Sequence, residues 1–375
     1  MSAPNPVPPS RTPLEERLLT LIGDNGPISV GDFMADALSH PQHGYYATQD
    51  PFGRGGDFTT APEISQLFGE LVGAWLVDAW QTIGAPSLFN LVELGPGRGT
   101  LMADILRVGK VRPAFLEAAK VYMVDNSGRL RLRQQRTLDG VHDAITWVDG
   151  LEAVPAAPTL LVANEFFDCL PIRQFVRTAE DSDTPWRERL VGRDDAGGAP
   201  RLCFTLSDQA YGHRRGMPAG AIPESIFEEC AAGLEIIRAL ATRFEEHKGR
   251  ALIIDYGHGR AGYGDTFQAV KRHDYWHPLA SPGLADITAH VDFAALARAG
   301  RDANTRVDGP VRQGPFLDRL GLKPRLDALC TQTDEETKAL LTSGADRLAA
   351  PEAMGDLFKV MALSSPGLPE PPGFS

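Results

Sequence analysis

The sequence predicts an α/β protein built on a doubly wound sheet, and three observations carry that prediction. Apolar runs at 88–95, 121–125, 144–148, 159–165 and 251–257 read as buried strands. Helical segments alternate with them. The first run ends in Gly95-Pro96-Gly97-Arg98-Gly99, a glycine-rich turn that opens directly into a helix.

In chain order, residues 1–13 are Pro-rich and read as a disordered tail. Leu14, Leu18, Leu21 and Ile22 then recur at helical spacing up to Gly23, and a second short helix follows in ISVGDFMADALSH. RGGDFTTAPEIS has neither periodicity and reads as a loop of unusual content. From Ile64 to Ile83 one broad apolar face predicts a long buried helix. These pieces form an N-terminal helical cap and loop, 14–86, ahead of a core spanning 87–258. Inside the core, TLMADILRVGK and the Arg-rich run to Leu138 are helices, the latter with a solvated face. A β-hairpin insertion is expected at about 176–223, where short alternating runs sit among Arg, Asp and Gly. Residues 259–365 add a cap insertion, an amphipathic helix in HVDFAALARAG and closing strands near 303–308 and 358–365, before a Pro-rich tail at 366–375.

Composition narrows the function. The chain has 375 residues, 43% hydrophobic and 23% charged, which is ordinary for a packed globular protein. Lys and Arg number 37 against 49 Asp and Glu, a formal net charge of −12. That balance disfavours nucleic acid as a partner. No apolar stretch is long enough to predict a membrane span. Cys169, Cys203, Cys230 and Cys330 show no C-x-x-C pairing, so neither a disulfide framework nor a metal site is expected. The start, MSAPNPVPPSRTP, has no apolar signal core and no Arg-rich amphipathic helix, so the expected location is cytoplasmic.

The glycine turn departs from the dinucleotide fingerprint, because Thr100 stands where Gly or Ala would complete G-x-G-x-x-G/A. The spacing is instead E-x-G-x-G-x-G, with Glu93 just inside the strand. An acidic residue there repels phosphate and welcomes an ammonium, which suits S-adenosyl-L-methionine as cofactor. Asp125, ending the second strand, is placed to accept from two ribose hydroxyls. Its other reading is a cap for the helix starting at Ser127. Asp149, ending the third strand, reads either as an adenine-edge contact or as a plain turn. The fourth strand ends Asn164-Glu165-Phe166-Phe167-Asp168, an amide and two carboxylates at the carboxyl edge of the sheet, where open α/β sheets bind ligands.

Six strings, GDFTTAPEISQLFGE (56–70), LVELGPGRGTLMADILR (91–107), NEFFDCLPIRQF (164–175), LIIDYGH (252–258), DITAHVDF (286–293) and QGPFLDRLGL (313–322), resemble the MidA-type family of S-adenosylmethionine-dependent methyltransferases. That family includes the arginine methyltransferase of mitochondrial complex I assembly. The resemblance implies a class I methyltransferase (Rossmann-like) fold with strand order 3-2-1-4-5-7-6, an N-terminal helical cap and inserted substrate-side elements. It implies that Gly95, Gly97 and Gly99, with Arg98 and Thr100 of the same turn, cradle the cofactor. It also implies that GDFTTAPEIS, with Thr60 and Glu63, lies over the cofactor, and Asn164 joins the cofactor-binding set. One departure is visible: many relatives carry Glu where this chain has Asp125, one methylene shorter.

The implied reaction is methyl transfer to an arginine of a protein partner, a subunit of the respiratory NADH dehydrogenase (complex I). Glu165 and Asp168 are the first candidates to hold a guanidinium and take its proton, with Glu63 third. Two other readings stand: a non-catalytic assembly chaperone for that complex, and a small-molecule methyltransferase. A homodimer is compatible with the sequence. His273 and His277, four apart, would suit a metal only on a helix, and the Gly and Pro around them argue against one.

Overall fold

The computed structural model describes residues 11–49, 59–179 and 182–375. Residues 1–10 of the expected tail, and Gly56, Asp57 and Phe58 of the GDFTTAPEIS string, lie outside them. The central sheet has eight strands among the described residues; seven run in series, numbered here β1 (Phe89–Leu94), β2 (Ala119–Val124), β3 (Ile145–Val148), β4 (Thr159–Asn164), β5 (Gly249–His258), β6 (Arg306–Arg312) and β7 (Phe358–Ser364), and the short strand Val291–Asp292 pairs off that path with β5. Their spatial order is β3-β2-β1-β4-β5-β7-β6, the expected 3-2-1-4-5-7-6. β1 to β5 are mutually parallel, and β7 runs antiparallel between β5 and β6.

β1 and β4 are buried along their whole length, because both faces of the sheet are covered. Phe89 and Leu91 point into one core with the apolar faces of α2 (Gln66–Thr82) and α3 (Thr100–Gly109); α1 is the preceding turn Ala61–Ile64. Val92 and Leu94 point into the other. That second core is shared with Ile237, Leu240 and Phe244 of α5 (Ala231–Glu246) and Phe293 and Leu296 of α6 (Phe293–Asp302); α4 is the Arg-rich helix Gly128–Thr137. On the same chain follow α7 (Gln313–Arg319), α8 (Leu322–Cys330) and α9 (Glu335–Ala349).

The chain divides into two compact units, and this sheet with α1 to α9 makes one of them. The other carries helices Pro13–Asn25 and Val30–Ser39 and two antiparallel sheets. Its larger sheet joins strands Ile28–Ser29, Arg173–Arg177, Trp186–Asp194, Arg201–Tyr211 and Ile226–Glu229. The expected hairpin at about 176–223 is thus most of a five-stranded sheet with its own core of Phe175, Trp186, Met217 and Phe227. On the strand Trp186–Asp194, Glu188 is buried on the face of Trp186, and Val191 is buried on the face of the half-exposed Arg187 and Arg189, which masks the alternation in sequence.

Residues 11–13 and 366–375, both expected in loose tails, are packed. Pro13 belongs to the first helix, where a missing N–H costs nothing, and Thr12 caps it by accepting from the Glu15 N–H at 3.0 Å. At the other end the Pro-rich stretch packs on the sheet unit. Trp75 donates to the Pro372 carbonyl at 3.2 Å, the buried Arg250 donates to Pro369 at 2.6 Å, and Phe374 meets Phe316 edge-on at 5.4 Å. Its carbonyls satisfy buried donors, so ordering it is offset by those bonds. Residues 272–273 form the turn of a hairpin, so His273 and His277 are not on a helix.

Glu70 ties three helices together. Buried on α2, it accepts from Arg107 of α3 and Arg325 of α8, each at 2.7 Å. Burial alone would raise its pKa, but hydrogen bonds and charge from Arg325 and Arg107 hold it below the ordinary glutamate range. A carboxyl depressed in the folded state contributes stability that is present above its unfolded pKa and lost as pH falls through the folded value. Both arginines are half-exposed, so Glu70→Gln is expected to cost only about 1–2 kcal/mol at pH 7. In urea melts the deficit should shrink as pH falls below the ordinary glutamate range and wild-type Glu70 also becomes neutral.

Candidate active site

The site grows from the carboxyl ends of β1, β2, β4 and β5. After Leu94 the chain turns off the sheet, with the Gly95 N–H still donating to Val124 at 3.0 Å. Gly95, Gly97 and Gly99 all have positive φ, at 62°, 52° and 81°, a region costly for residues with a Cβ. At Gly95 a Cβ would also lie 2.7 Å from the Phe166 ring. Gly99 is the N-cap of α3 with no side chain capping that end, so the first-turn amides face the glycine turn.

Glu93 alternates with Phe89 and Leu91 and therefore points to the α2–α3 face. It is 3% exposed, and its Oε2 has no hydrogen-bond partner. Burial pushes its pKa well above the glutamate range, opposed by the Met102 N–H and reinforced by the charge of Asp125. A cationic amine reaching this oxygen would favour the ionised form. The Oδ1 atom of buried Asn164, one strand away, likewise lacks a partner.

Asp125 follows β2, with its own N–H donating to Val148 at 3.1 Å. Its Oδ1 accepts from the Ser127 N–H at 2.8 Å and its Oδ2 from Gln134 Nε2 at 2.7 Å. Burial raises its pKa despite those two donors and the charge of Arg131. Ser127 itself is the N-cap of α4. Gln134 is fully buried on α4 and also donates to the Gly97 carbonyl at 3.0 Å while accepting from Trp147 at 2.9 Å. One amide thus joins the glycine turn, the acid of β2 and strand β3. Asp149 stands apart: its side chain is 83% exposed and paired with Arg131 at 2.5 Å.

Glu165, Asp168 and Asp255 form a cluster of three carboxyls. Glu165 adopts a left-handed backbone at φ 51°, which a non-glycine residue keeps only when its surroundings fix it. The fixing group is Asp255 of β5, wholly buried. Its Oδ2 accepts from the N–H groups of Phe166, Phe167 and Asp168 at 3.1, 2.9 and 3.2 Å, and its Oδ1 from that of Tyr256 at 2.9 Å. Burial pushes Glu165 up to about 7, opposed by the Ala61 N–H and reinforced by Asp168. It pushes Asp168 up to about 6, against donation from the Tyr256 hydroxyl. Asp255 is driven well above the aspartate range by burial and by the charges of Asp168 and Glu165.

The turn α1, with Thr60 as its N-cap, stitches the two halves. Its Ala61 N–H donates to Glu165 Oε1 at 2.9 Å, while Glu63 takes Arg98 at 3.1 Å and Thr100 at 2.6 Å. Glu63 is therefore engaged with the glycine turn and makes no hydrogen bond to Glu165 or Asp168. Among the residues named from sequence, the structure joins Glu63, Arg98 and Thr100, and joins Asn164 to Glu165 at 3.0 Å. Asp255 and Gln134 were missed. The Asp at the fourth position of LIIDYGH, after three apolar residues, and a Gln one helical turn beyond Leu130, were the available signals.

Residues 71–311 match the model of the family described as "putative S-adenosyl-L-methionine-dependent methyltransferase". The chain belongs to this family. It is 38% identical to the Drosophila melanogaster protein named "Protein arginine methyltransferase NDUFAF7 homolog, mitochondrial", over 93% of this chain and 84% of that one. It is 34% identical to the human "Protein arginine methyltransferase NDUFAF7, mitochondrial", over 96% of this chain and 84% of that one. A crystal structure of a Burkholderia thailandensis protein bound to S-adenosyl-homocysteine superposes with a TM-score of 0.80 at 28% identity, covering 98% of this chain and 97% of that one. The cytoplasmic expectation is corrected by these relatives, which are named as mitochondrial. Among the described residues no helix is long and apolar enough to cross a membrane, and no group of three or more His, Cys, Asp or Glu is placed to hold a metal.

The methyltransferase cofactor, S-adenosylmethionine, fits these residues. Its cationic amino-acid end calls for buried acceptors without partners, which Glu93 Oε2 and Asn164 Oδ1 are, and its close approach calls for the three left-handed glycines. S-adenosyl-homocysteine is expected to raise the melting temperature of the wild type. Gly97→Val should melt cooperatively yet show no such rise. Asp125→Ala should weaken calorimetric affinity by about 1.5–3 kcal/mol, the size of a lost hydrogen bond to a charged acceptor; unchanged affinity would leave Asp125 a partner of Ser127 and Gln134 only.

Proposed function

We propose that this methyltransferase acts on an arginine guanidinium of a protein partner, a subunit of the respiratory NADH dehydrogenase (complex I) during its assembly. The observation that carries the acceptor class is the pair Glu165 and Asp168 beside the glycine turn, two carboxyls held by one four-residue turn and raised to about 7 and about 6. The arginine methyltransferase names of the relatives support the same acceptor.

A guanidinium stays protonated in water, with five N–H donors in a planar fork. Two carboxylates close together match that fork, and desolvation makes each charge-assisted bond stronger. When bound, the cofactor supplies an electrophilic methyl on a sulfonium. The guanidinium nitrogen that accepts the methyl must give up a proton, and a carboxylate with pKa near neutrality takes it without being protonated beforehand. Glu165, partly exposed, faces the acceptor, while Asp168, 7% exposed, lies behind it with Tyr256. Glu93 and Asp125 hold cofactor in this reading, and Glu63 holds Arg98 and Thr100 in place.

The test is methyl transfer to an arginine-containing peptide or to complex I subunits, read by mass spectrometry. Glu165→Gln and Asp168→Asn keep the shape and remove the charge. Each is expected to lose roughly a hundredfold in kcat with near-normal cofactor affinity. Wild-type kcat/KM should rise with pH between about 6 and 7, as the pair ionises. Wild-type rates in both variants would move the acceptor site elsewhere. A wild type that binds a subunit and transfers nothing would favour the chaperone reading.

A further inference from the structure

Asp255 is wholly buried, is held by four backbone N–H groups, and touches the turn that carries both candidate acids. We propose that Asp255 is the positioning residue of the Glu165–Asp168 pair: it folds the turn that brings the two acids together and titrates with them as one three-carboxyl unit. The role deepens the arginine reading and rests on it only for its kinetic readout.

Three of the four bonds converge on one oxygen. A single acceptor that gathers consecutive N–H groups dictates a tight turn, as an anion does in a backbone nest. The cost is visible one residue earlier, where Glu165 sits at positive φ. Without the Asp255 acceptor, three buried N–H groups lose their partner, and nothing else then requires the left-handed step at Glu165. The turn also begins from a fixed point, since the Glu165 N–H donates to Ile254 at 2.9 Å, one residue before Asp255. The position of the pair therefore traces to β5.

Electrostatics couples the same three groups. Asp168 and Glu165 each act on Asp255, and Asp168 acts on Glu165. Other titratable or charged groups lie near the cluster among the described residues. They are Tyr256, which donates to Asp168; Arg347 of α9, which acts on Glu165; Lys359 of β7, opposite Asp255 in register; and His290, edge-on to the Tyr256 ring at 5.4 Å. Carboxyls coupled in this way titrate as a cluster, and the apparent midpoints belong to it.

Asp255→Asn tests this, because the amide keeps the size while presenting donors to donors. Carboxyl 13C NMR of the full-length protein, labelled at Asp and Glu, reads the titration without any acceptor or turnover. The midpoints of Glu165 and Asp168 are expected to fall by roughly half a pH unit or more, since the turn that keeps both acids out of water is no longer held. In the peptide assay kcat should drop about tenfold or more with cofactor KM changed less than about threefold, and the acid limb should move to lower pH. An Asp255→Asn protein that melts cooperatively, binds S-adenosyl-homocysteine and leaves both midpoints in place overturns the proposal. Should that variant not fold, Asp168→Asn reads the coupling from the other side: the Asp255 midpoint falls with it, and an Asp255 that does not move overturns the proposal. Shifted midpoints in a protein whose wild type methylates no arginine would sink the arginine reading and leave the role of Asp255 standing.

Discussion

One buried carboxylate organises the acidic side of the site. Asp255 accepts four backbone N–H groups, three from the turn after β4 that carries the candidate acids and one from Tyr256. Because β5 is parallel to β4 and in register with it, Ile254 lies opposite Asn164, and the next residue of each strand meets at the sheet edge. The doubly wound topology supplies that meeting. The sheet order places β4 between β1 and β5, so the turn after β4 has the glycine turn on one side and Asp255 on the other.

The cofactor side is organised differently, by an amide. Gln134 bridges Gly97, Asp125 and Trp147, three residues from three successive loops or strands, and it has no exposure to water. A carboxylate at this position would repel Asp125, and a hydrocarbon would leave three polar groups without partners. Between the two halves, α1 contributes one backbone donor to Glu165 and one carboxylate to Arg98 and Thr100. A short turn thus reports on both ligand ends of the site.

The strands of the central sheet were legible because burial on both faces writes them as unbroken apolar runs, and Leu91, Val92 and Leu94 leave little room for another reading. The glycine turn was legible because positive φ selects glycine at each alternate position. The five-stranded sheet was not, since the buried Glu188 stands on the apolar face of its strand and the buried Val191 on the face of Arg187 and Arg189, which breaks the alternation. Asp255 hid inside an apolar strand and reads there as a strand-ending polar residue. Its role comes from residues 166–168, which are 87 or more positions away in the chain. Gln134 hid for the same reason, in a helix whose arginines advertise solvent. Asp149 shows the reverse error: a strand-end acid fits the pattern, yet Arg131 draws it outward.

Burial of acceptors without donors also separates the readings of the site. Glu93 Oε2 and Asn164 Oδ1 lie out of water with nothing to bond, and each such atom costs a folded protein roughly 1–3 kcal/mol. Three carboxyls crowded at the next strand ends add mutual repulsion to that cost. A fold serving only as a scaffold for a client would gain nothing from either arrangement, because apolar residues of similar size would pack there more stably. A ligand that brings donors and positive charge reverses both costs on binding, since it satisfies the orphaned oxygens and shares the excess charge. The orphaned atoms lie at the carboxyl ends of β1 and β4, and the crowded acids lie at the turn after β4. The protein is thus destabilised at two adjoining places, one suited to a cationic cofactor and the other, in the function proposed above, to a cationic acceptor.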